Sequence, residues 1–398
     1  MTQNTKIILL VGDGMADHPL PELKNKTPLE VARIPNMNWL AKNGSTGWVK
    51  TVPANMQPGS DVANLSLLGY DPSKVYTGRG PFEALSQGVH LLDDEWALRL
   101  NFVTIKDGLM KDFSAGHIST AEAHQLIKTI NEKLGDKHQR FIGGVSYRNL
   151  FITRQNMARI IATPPHDISG QKIKNYLPKG SGNETLKKLF HDSEEILKNH
   201  PVNLKRIAEG RLPATHIWLW GQGKKPRIPS FYEKYKLRGS VITAVDLLKG
   251  IAIAIGLDPI NVPGATGYYD TNYTGKAEYA LKSLVTKDFV FVHVEAPDEA
   301  GHNGELDEKI KAIENFDKFI VGPILGELRK KYTSFKITVL PDHPTPVKIR
   351  THVNEPVPFA IYRPNIKPDA VKKYNEKSVR KSKVHLEGYR LLDYIIDL

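Results

Sequence analysis

Six residues able to bind a metal ion sit beside short apolar runs in this chain. Asp13 lies in Gly12-Asp13-Gly14, directly after Ile7–Val11. Asp298 and His302 lie in Glu295-Ala296-Pro297-Asp298-Glu299-Ala300-Gly301-His302, directly after Phe289–Val294. Asp342 and His343 open Asp342-His343-Pro344-Thr345-Pro346, after Ile337–Leu340. His352 ends Arg350-Thr351-His352, just before Phe359–Tyr362. Taken singly, each has an ordinary explanation: an Asp after a strand caps a helix or forms a turn, and a His in a loop faces solvent. Asp298 and His302, four apart, can share one side of a helical turn. In an open parallel sheet, however, ligands gather at one edge, beyond the strand ends. Three carboxylates and three imidazoles gathered there suit Zn²⁺, Mn²⁺ or a similar ion. Six donors exceed what one catalytic ion with an open position uses. Two ions about 3.5–4 Å apart, as in two-metal phosphoryl transfer, are expected.

The nucleophile candidate is Ser60, in Pro58-Gly59-Ser60-Asp61-Val62-Ala63-Asn64-Leu65. Gly59 permits close backbone approach, and Ser60 opens a helix running through Val62, Leu65 and Leu68. A hydroxyl there meets unpaired N–H groups and the positive dipole end, which suits a phosphate, although a plain Ser cap has the same signature. Serine is a weak nucleophile unless a base or metal activates it. With no cysteine in the chain, thiolate metal sites, disulfides and cysteine nucleophiles are excluded. Gly221-Gln222-Gly223-Lys224-Lys225 fails the phosphate-loop pattern, and neither a kinase catalytic-loop set nor a G-x-S-x-G elbow is present.

The elements that must position these groups read as an α/β sandwich. Ile7–Val11, Phe289–Val294, Ile337–Leu340 and Phe359–Tyr362 are continuous apolar runs, the pattern of parallel strands buried on both faces. Ile310, Ile313, Phe316 and Ile320 place one apolar stripe on a helix over 308–321, and a second helix spans 247–255 after Ser240-Val241-Ile242. Alternating strands and helices imply βαβ units. The middle of the chain reads differently. Strands at 98–103 and 157–161, helices at 120–134 and 184–198, and a Pro/Gly-rich link at 163–182 describe a smaller inserted α+β domain. The expected division is 1–96 and 211–398 for the sandwich, with 97–210 inserted as a substrate-binding lid.

The chain has 398 residues, 55 Lys+Arg against 43 Asp+Glu, and a formal charge of +12. Its length fits two or three domains, and 40% hydrophobic residues fit a folded core. Half of the basic excess lies between Arg363 and Arg390, with nine Lys/Arg against three Asp/Glu. Without aromatic interleaving or a nucleic-acid motif, this reads as a solvated lysine surface rather than a nucleic-acid site. No run approaches the roughly 18 apolar residues of a membrane span. A cytoplasmic protein with neither a membrane nor a nucleic-acid partner is expected.

These segments resemble the cofactor-independent phosphoglycerate mutases of the archaeal type and their bacterial relatives, within the alkaline phosphatase superfamily. The resemblance also runs through Lys26-Thr27-Pro28-Leu29, Leu68-Gly69-Tyr70-Asp71-Pro72, Thr77-Gly78-Arg79-Gly80-Pro81 and Pro263-Gly264-Ala265-Thr266-Gly267, and so covers essentially the whole chain. It implies an alkaline-phosphatase-like sandwich with a mainly parallel central sheet and an inserted α+β domain. It assigns Asp13, Ser60, Asp342 and His343 to one metal, and Asp298, His302 and His352 to a second. Mn²⁺ is the expected ion, with Zn²⁺, Co²⁺ or Mg²⁺ as alternatives, and no 2,3-bisphosphoglycerate is needed. Ser60 would take the phosphoryl group of 3-phosphoglycerate as phosphoserine and return it to the 2-hydroxyl of the reoriented glycerate. Closure of the inserted domain would exclude water.

Lys276, in Tyr273-Thr274-Gly275-Lys276, resembles a basic residue that meets phosphate near the metals. Arg148 and His117 are the insertion's candidates for the substrate carboxylate. The longer bacterial mutases differ at the segment matching Gly59–Asn64, and their arginine-rich cradle does not map onto this shorter insertion. The expected partner is a small phosphorylated anion, and the expected assembly a monomer or small homo-oligomer. Two alternatives share the site chemistry: a homoserine-kinase-like phosphotransferase and a metal-dependent phosphatase.

Overall fold

The structure is a computed structural model, and it describes residues 5–398. Thr77–Arg227 forms one compact unit; the flanking segments, up to Tyr76 and from Ile228 to Leu398, together form the other.

The flanking unit is built on an eight-stranded sheet. Its strands are β1 (Lys6–Gly12), β2 (Ser45–Lys50), β8 (Gly239–Ile242), β9 (Asp258–Ile260), β10 (Phe289–Val294), β11 (Phe335–Leu340), β12 (Val357–Tyr362) and β13 (His385–Glu387). They are ordered β13-β2-β12-β11-β1-β10-β8-β9. β1 lies at the centre, parallel to β10 on one side and β11 on the other, and all seven of its residues are buried. A strand covered on both faces has no solvent side for polar residues, which explains the unbroken Ile-Ile-Leu-Leu-Val run. On one face, Ile8, Leu10, Val290, Val292 and Val294 pack against helical residues such as Ala277, Leu284, Ile313, Phe316 and Ile324 in one core.

Within the mainly parallel sheet, β12, whose apolar run reads with the parallel strands, is antiparallel to both β11 and β2. An apolar run reports burial on two faces but carries no direction, so the sequence pattern did not separate the two cases. The expected helix over 308–321 is a helix at Leu306–Phe316 followed by a π turn at Asp317–Val321.

The Thr77–Arg227 unit has a five-stranded sheet of β3 (Trp96–Lys106), β4 (Leu109–Asp112), β5 (Gln139–Val145), β6 (Arg148–Thr153) and β7 (His216–Lys224). The path is β4-β3-β6-β5, with β7 paired to β3. Because β7 pairs with β3 from Trp96 to Val103, and the Arg79–Ser86 helix packs on both strands, this unit extends beyond residues 97–210 at each end. Helices Thr120–Leu134 and Asn183–Lys198 cover the sheet through Leu126, Ile130, Leu186 and Leu189. The expected strand at 157–161 is absent. Asn156 Oδ1 accepts from the Ala158 N–H at 3.0 Å, and Ile160 N donates to Met157 O at 3.2 Å, folding the segment into turns. No helix among the described residues is long and apolar enough to cross a membrane.

Candidate active site

Three parallel strands deliver the site's first groups to one edge. β1 ends into Asp13, whose N–H donates to Val294 O of β10 at 2.9 Å. β10 ends into Glu295 and the Ala296–Asn303 helix that carries Asp298 and His302. β11 ends into Asp342 and His343. His352 precedes β12, and it reaches the same edge because β12 is antiparallel: the start of β12 lies beside the end of β11. Ser60 is the first residue of the Ser60–Leu67 helix, after Gly59.

The side chains converge on two adjoining groups. In one, ligand atoms of Asp13, His293 and Asp342 lie within 4.8 Å of one another; in the other, those of Asp298, His343 and His352 do. His302 Nε2 joins the second, 2.9 Å from His352 Nε2 and 3.3 Å from Asp298 Oδ2. His343 stands between the groups. Its ring centroid is 4.1 Å from that of His352, while its Nε2 lies 3.5 Å from Asp13 Oδ1 and from Asp342 Oδ2. Ser60 Oγ faces both, 3.2 Å from His343 Nε2 and donating to Asp13 Oδ2 at 3.5 Å.

Neighbouring groups fix these donors. Asp342 Oδ1 accepts from the N–H groups of Gly14 at 3.1 Å and His343 at 2.9 Å. Asn64 Nδ2 donates to Asp342 Oδ2 and to Ser60 O, both at 2.8 Å, tying the Ser60 backbone to the Asp342 carboxylate. His302 Nδ1 pairs with Arg350 O at 3.0 Å, which holds the ring with Nε2 facing inward. The Thr345 hydroxyl bonds Asp298 Oδ1 and lies 3.2 Å from His343 Nδ1.

Burial and charge together shape the titration. Burial, reinforced by the Asp342 and Asp298 carboxylates, holds Asp13 well above the usual carboxylate range. Burial opposes ionisation of Asp342 and Asp298 too, but neighbouring imidazoles hold both below that range. Burial lowers His343 to about 4, so its imidazole is neutral at pH 7. His302 resists its own burial and rises to about 9 beside Asp298. Three buried carboxylates this close are mutually repulsive unless a cation or proton intervenes. Asp13 Oδ1 and His293 Nε2 are also buried with no hydrogen-bond partner. Residue types and geometry therefore fit bound divalent cations.

His293 and Glu295 were not singled out in the sequence. His293 is wholly buried inside β10, and the signal was present: one titratable residue in Phe-Val-Phe-Val-His-Val has no place in a purely apolar strand. Lys276 does not present a free ammonium to a substrate. It is wholly buried, and its Nζ donates to His293 O at 2.8 Å and Glu295 Oε2 at 3.0 Å. Two residues apart, His293 of β10 and Glu295 just beyond its end meet in one buried space with the lysine of the Tyr273–Leu284 helix.

Arg148 and His117 lie in the Thr77–Arg227 unit, both beside Tyr147. The Arg148 guanidinium lies 5.6 Å from the Tyr147 ring, and the His117 ring 6.5 Å. Arg148 is half-buried and His117 exposed. The loop bearing His117 is left-handed at three successive residues, Ala115, Gly116 and His117. The buried Arg206 pins it, with Nη2 donating to Ala115 O at 2.6 Å.

A family model for 2,3-bisphosphoglycerate-independent phosphoglycerate mutase matches residues 41–203. A protein of that name from Methanosarcina acetivorans is 52% identical over 383 residues, 96% of each chain. One from Methanothermobacter thermautotrophicus is 50% identical, covering 98% of this chain and 97% of its own. Among solved structures, a protein from Pyrococcus horikoshii has 30% identity and a TM-score of 0.83, with 100% of this chain and 97% of that chain covered. A cofactor-independent phosphoglycerate mutase from Thermoplasma acidophilum has 30% identity and a TM-score of 0.65, with 99% of each covered. With half of its residues identical to these mutases along nearly its whole length, the chain belongs to the 2,3-bisphosphoglycerate-independent phosphoglycerate mutase family.

Proposed function

We propose that the chain interconverts 3-phosphoglycerate and 2-phosphoglycerate through phosphorylated Ser60. The observation that carries this reading is Ser60 Oγ at a helix start, 3.2 Å from the neutral His343 and 3.5 Å from Asp13. Ser60 Oγ attacks phosphorus, the bond from phosphorus to the C3 oxygen breaks, and the glycerate oxygen takes up a proton. The 2-hydroxyl then attacks the phosphoserine, its proton is released, and Ser60 regains one. Asp13 Oδ2, 3.5 Å from Oγ, is the group that takes the serine proton, while the Nε2 of His343 is kept for the cation. The Ser60–Leu67 helix directs its first N–H groups toward the anionic oxygens, and Asn64 keeps Ser60 in register with Asp342. Two divalent ions, Mn²⁺ in our reading, held by Asp13, Asp342 and His343 and by Asp298, His302 and His352, would acidify the hydroxyl and offset phosphoryl charge. Within the other unit, Arg148 and His117 are the proposed carboxylate contacts.

The test is an enolase-coupled assay of the Mn²⁺-loaded protein with 3-phosphoglycerate, without nucleotide and without 2,3-bisphosphoglycerate. Turnover is expected, and Ser60→Ala is expected to lower it by at least about 10³-fold. Release of inorganic phosphate without 2-phosphoglycerate, or activity only with ATP and homoserine, would overturn the reading.

A further inference from the structure

Beyond the six donors the strand ends supply, a buried chain of side chains runs to Asp13. Lys276 Nζ donates to Glu295 Oε2 at 3.0 Å. Glu295 Oε1 accepts from Thr243 Oγ1 at 2.9 Å and lies 3.1 Å from His293 Nδ1. His293 Nε2 then lies 3.2 Å from Asp13 Oδ2 and 3.9 Å from Asp342 Oδ2. Lys276 and His293 are wholly buried, and Glu295 is 4% exposed.

We propose that His293 is a direct imidazole ligand of a divalent cation at the Asp13/Asp342 group, oriented for that task by Glu295 and Lys276. A carboxylate at Nδ1 fixes the proton there and directs the Nε2 lone pair outward, the arrangement that holds metal-ligating histidines in place. Lys276 already neutralises Glu295, so Glu295 does not call for a charged imidazolium. Nε2 faces the Asp13 and Asp342 carboxylates, so something positive, a proton or a cation, must lie between them. Both Nε2 and Asp13 Oδ1 are buried without hydrogen-bond partners, and one cation satisfies both. The neighbouring His343, whose ligand atom groups with Asp298 and His352, then serves the junction of the two groups. Lys276 becomes a positioning residue two steps removed from the cation.

This role requires a cation at Asp13 and Asp342 but not the mutase reaction, so it is read without turnover. The full chain, labelled with ¹⁵N-histidine and loaded with ¹¹³Cd²⁺, is observed by NMR for through-bond cadmium–nitrogen coupling. Four coupled imidazoles are expected, from His293, His302, His343 and His352, and His293→Gln should remove one. Calorimetry with Mn²⁺ should show His293→Gln weakening one site at least tenfold and Glu295→Gln weakening the same site less. Three coupled imidazoles in the wild-type protein would overturn the ligand assignment, and that count does not depend on any variant folding. An unchanged count in His293→Gln, even with weaker Mn²⁺ binding, would overturn it as well, leaving a hydrogen bond to Asp13. Absence of coupling at His302 and His352 would instead remove the cation reading of the whole site.

Discussion

At Gly14 the Asp13 loop passes tightly against the Asp298 helix. The Gly14 φ is +60°, and a Cβ there would stand 2.5 Å from Asp298 Oδ1 and 2.7 Å from Asp298 Cα. The left-handed conformation alone costs a substituted residue roughly 1–2 kcal/mol, and the contact with backbone cannot be relieved by a rotamer change. Gly14→Ala should therefore lower stability by more than about 2 kcal/mol in urea unfolding and weaken Mn²⁺ binding in calorimetry. At this scale the sequence was informative where metal-type residues followed several strand ends together, as with Asp13, Asp298 and His343. It was least so for Lys276, because a lysine's spacing does not reveal whether its ammonium meets a substrate or an internal carboxylate. Glu295 was the missing partner, and the helix that carries Lys276 had to be packed against β10 before the pair was visible.

Elements are joined beneath the site by a second buried polar network. Lys309, wholly buried, donates to Asp17 Oδ2 and Thr345 O, both at 2.8 Å. Glu376 accepts from the N–H of Asp17 at 3.1 Å and the hydroxyl of Thr27 at 2.5 Å. The loop after β1, the Pro28–Val31 helix with its Thr27 cap, and the Glu376–Val379 helix thus meet at one carboxyl group. Burial pushes Glu376 from 4.5 to about 7, against its hydrogen bonds. A carboxyl raised on folding binds more protons when native than unfolded, so its contribution to stability falls as pH rises from about 4.5 to about 7. At about 1.4 kcal/mol per unit, the loss comes to roughly 3.5 kcal/mol. Glu376→Gln should remove that slope, so the difference between the two unfolding curves should grow across this window and level off above it. A difference independent of pH would show that Glu376 is not held protonated. The strands of this unit were legible as apolar runs, yet the direction of β12 was not, and only its antiparallel course explains how His352 joins residues that follow strands.

On the scale of the whole molecule, the basic surplus and the site are separate matters. Lys367, Lys372, Lys373, Lys377, Lys381 and Lys383 are all exposed, whereas Lys276 and Lys309 are wholly buried against carboxylates. Bound cations should stabilise the unit that carries Asp13, Asp298 and Asp342 by mass action, about 2.7 kcal/mol per site at a hundredfold excess over Kd. Chelation should lower the unfolding midpoint, and Mn²⁺ should restore it with two ions per chain; a midpoint unmoved by chelation would contradict the fit of these groups to a cation. The inserted unit was visible in the sequence as a change in pattern, while its edges were not. β3 and β7 are neighbours across more than a hundred residues of sequence, a pairing that only the sheet displays.

The measurement closest to the central claim is mass spectrometry of acid-quenched Mn²⁺-loaded protein mixed with phosphate-labelled 3-phosphoglycerate. Labelled phosphate is expected on Ser60 within a single turnover, together with labelled 2-phosphoglycerate and no inorganic phosphate, and Ser60→Ala should show neither labelled species. Label on another residue, or near-wild-type 2-phosphoglycerate formation by Ser60→Ala, would contradict transfer through Ser60.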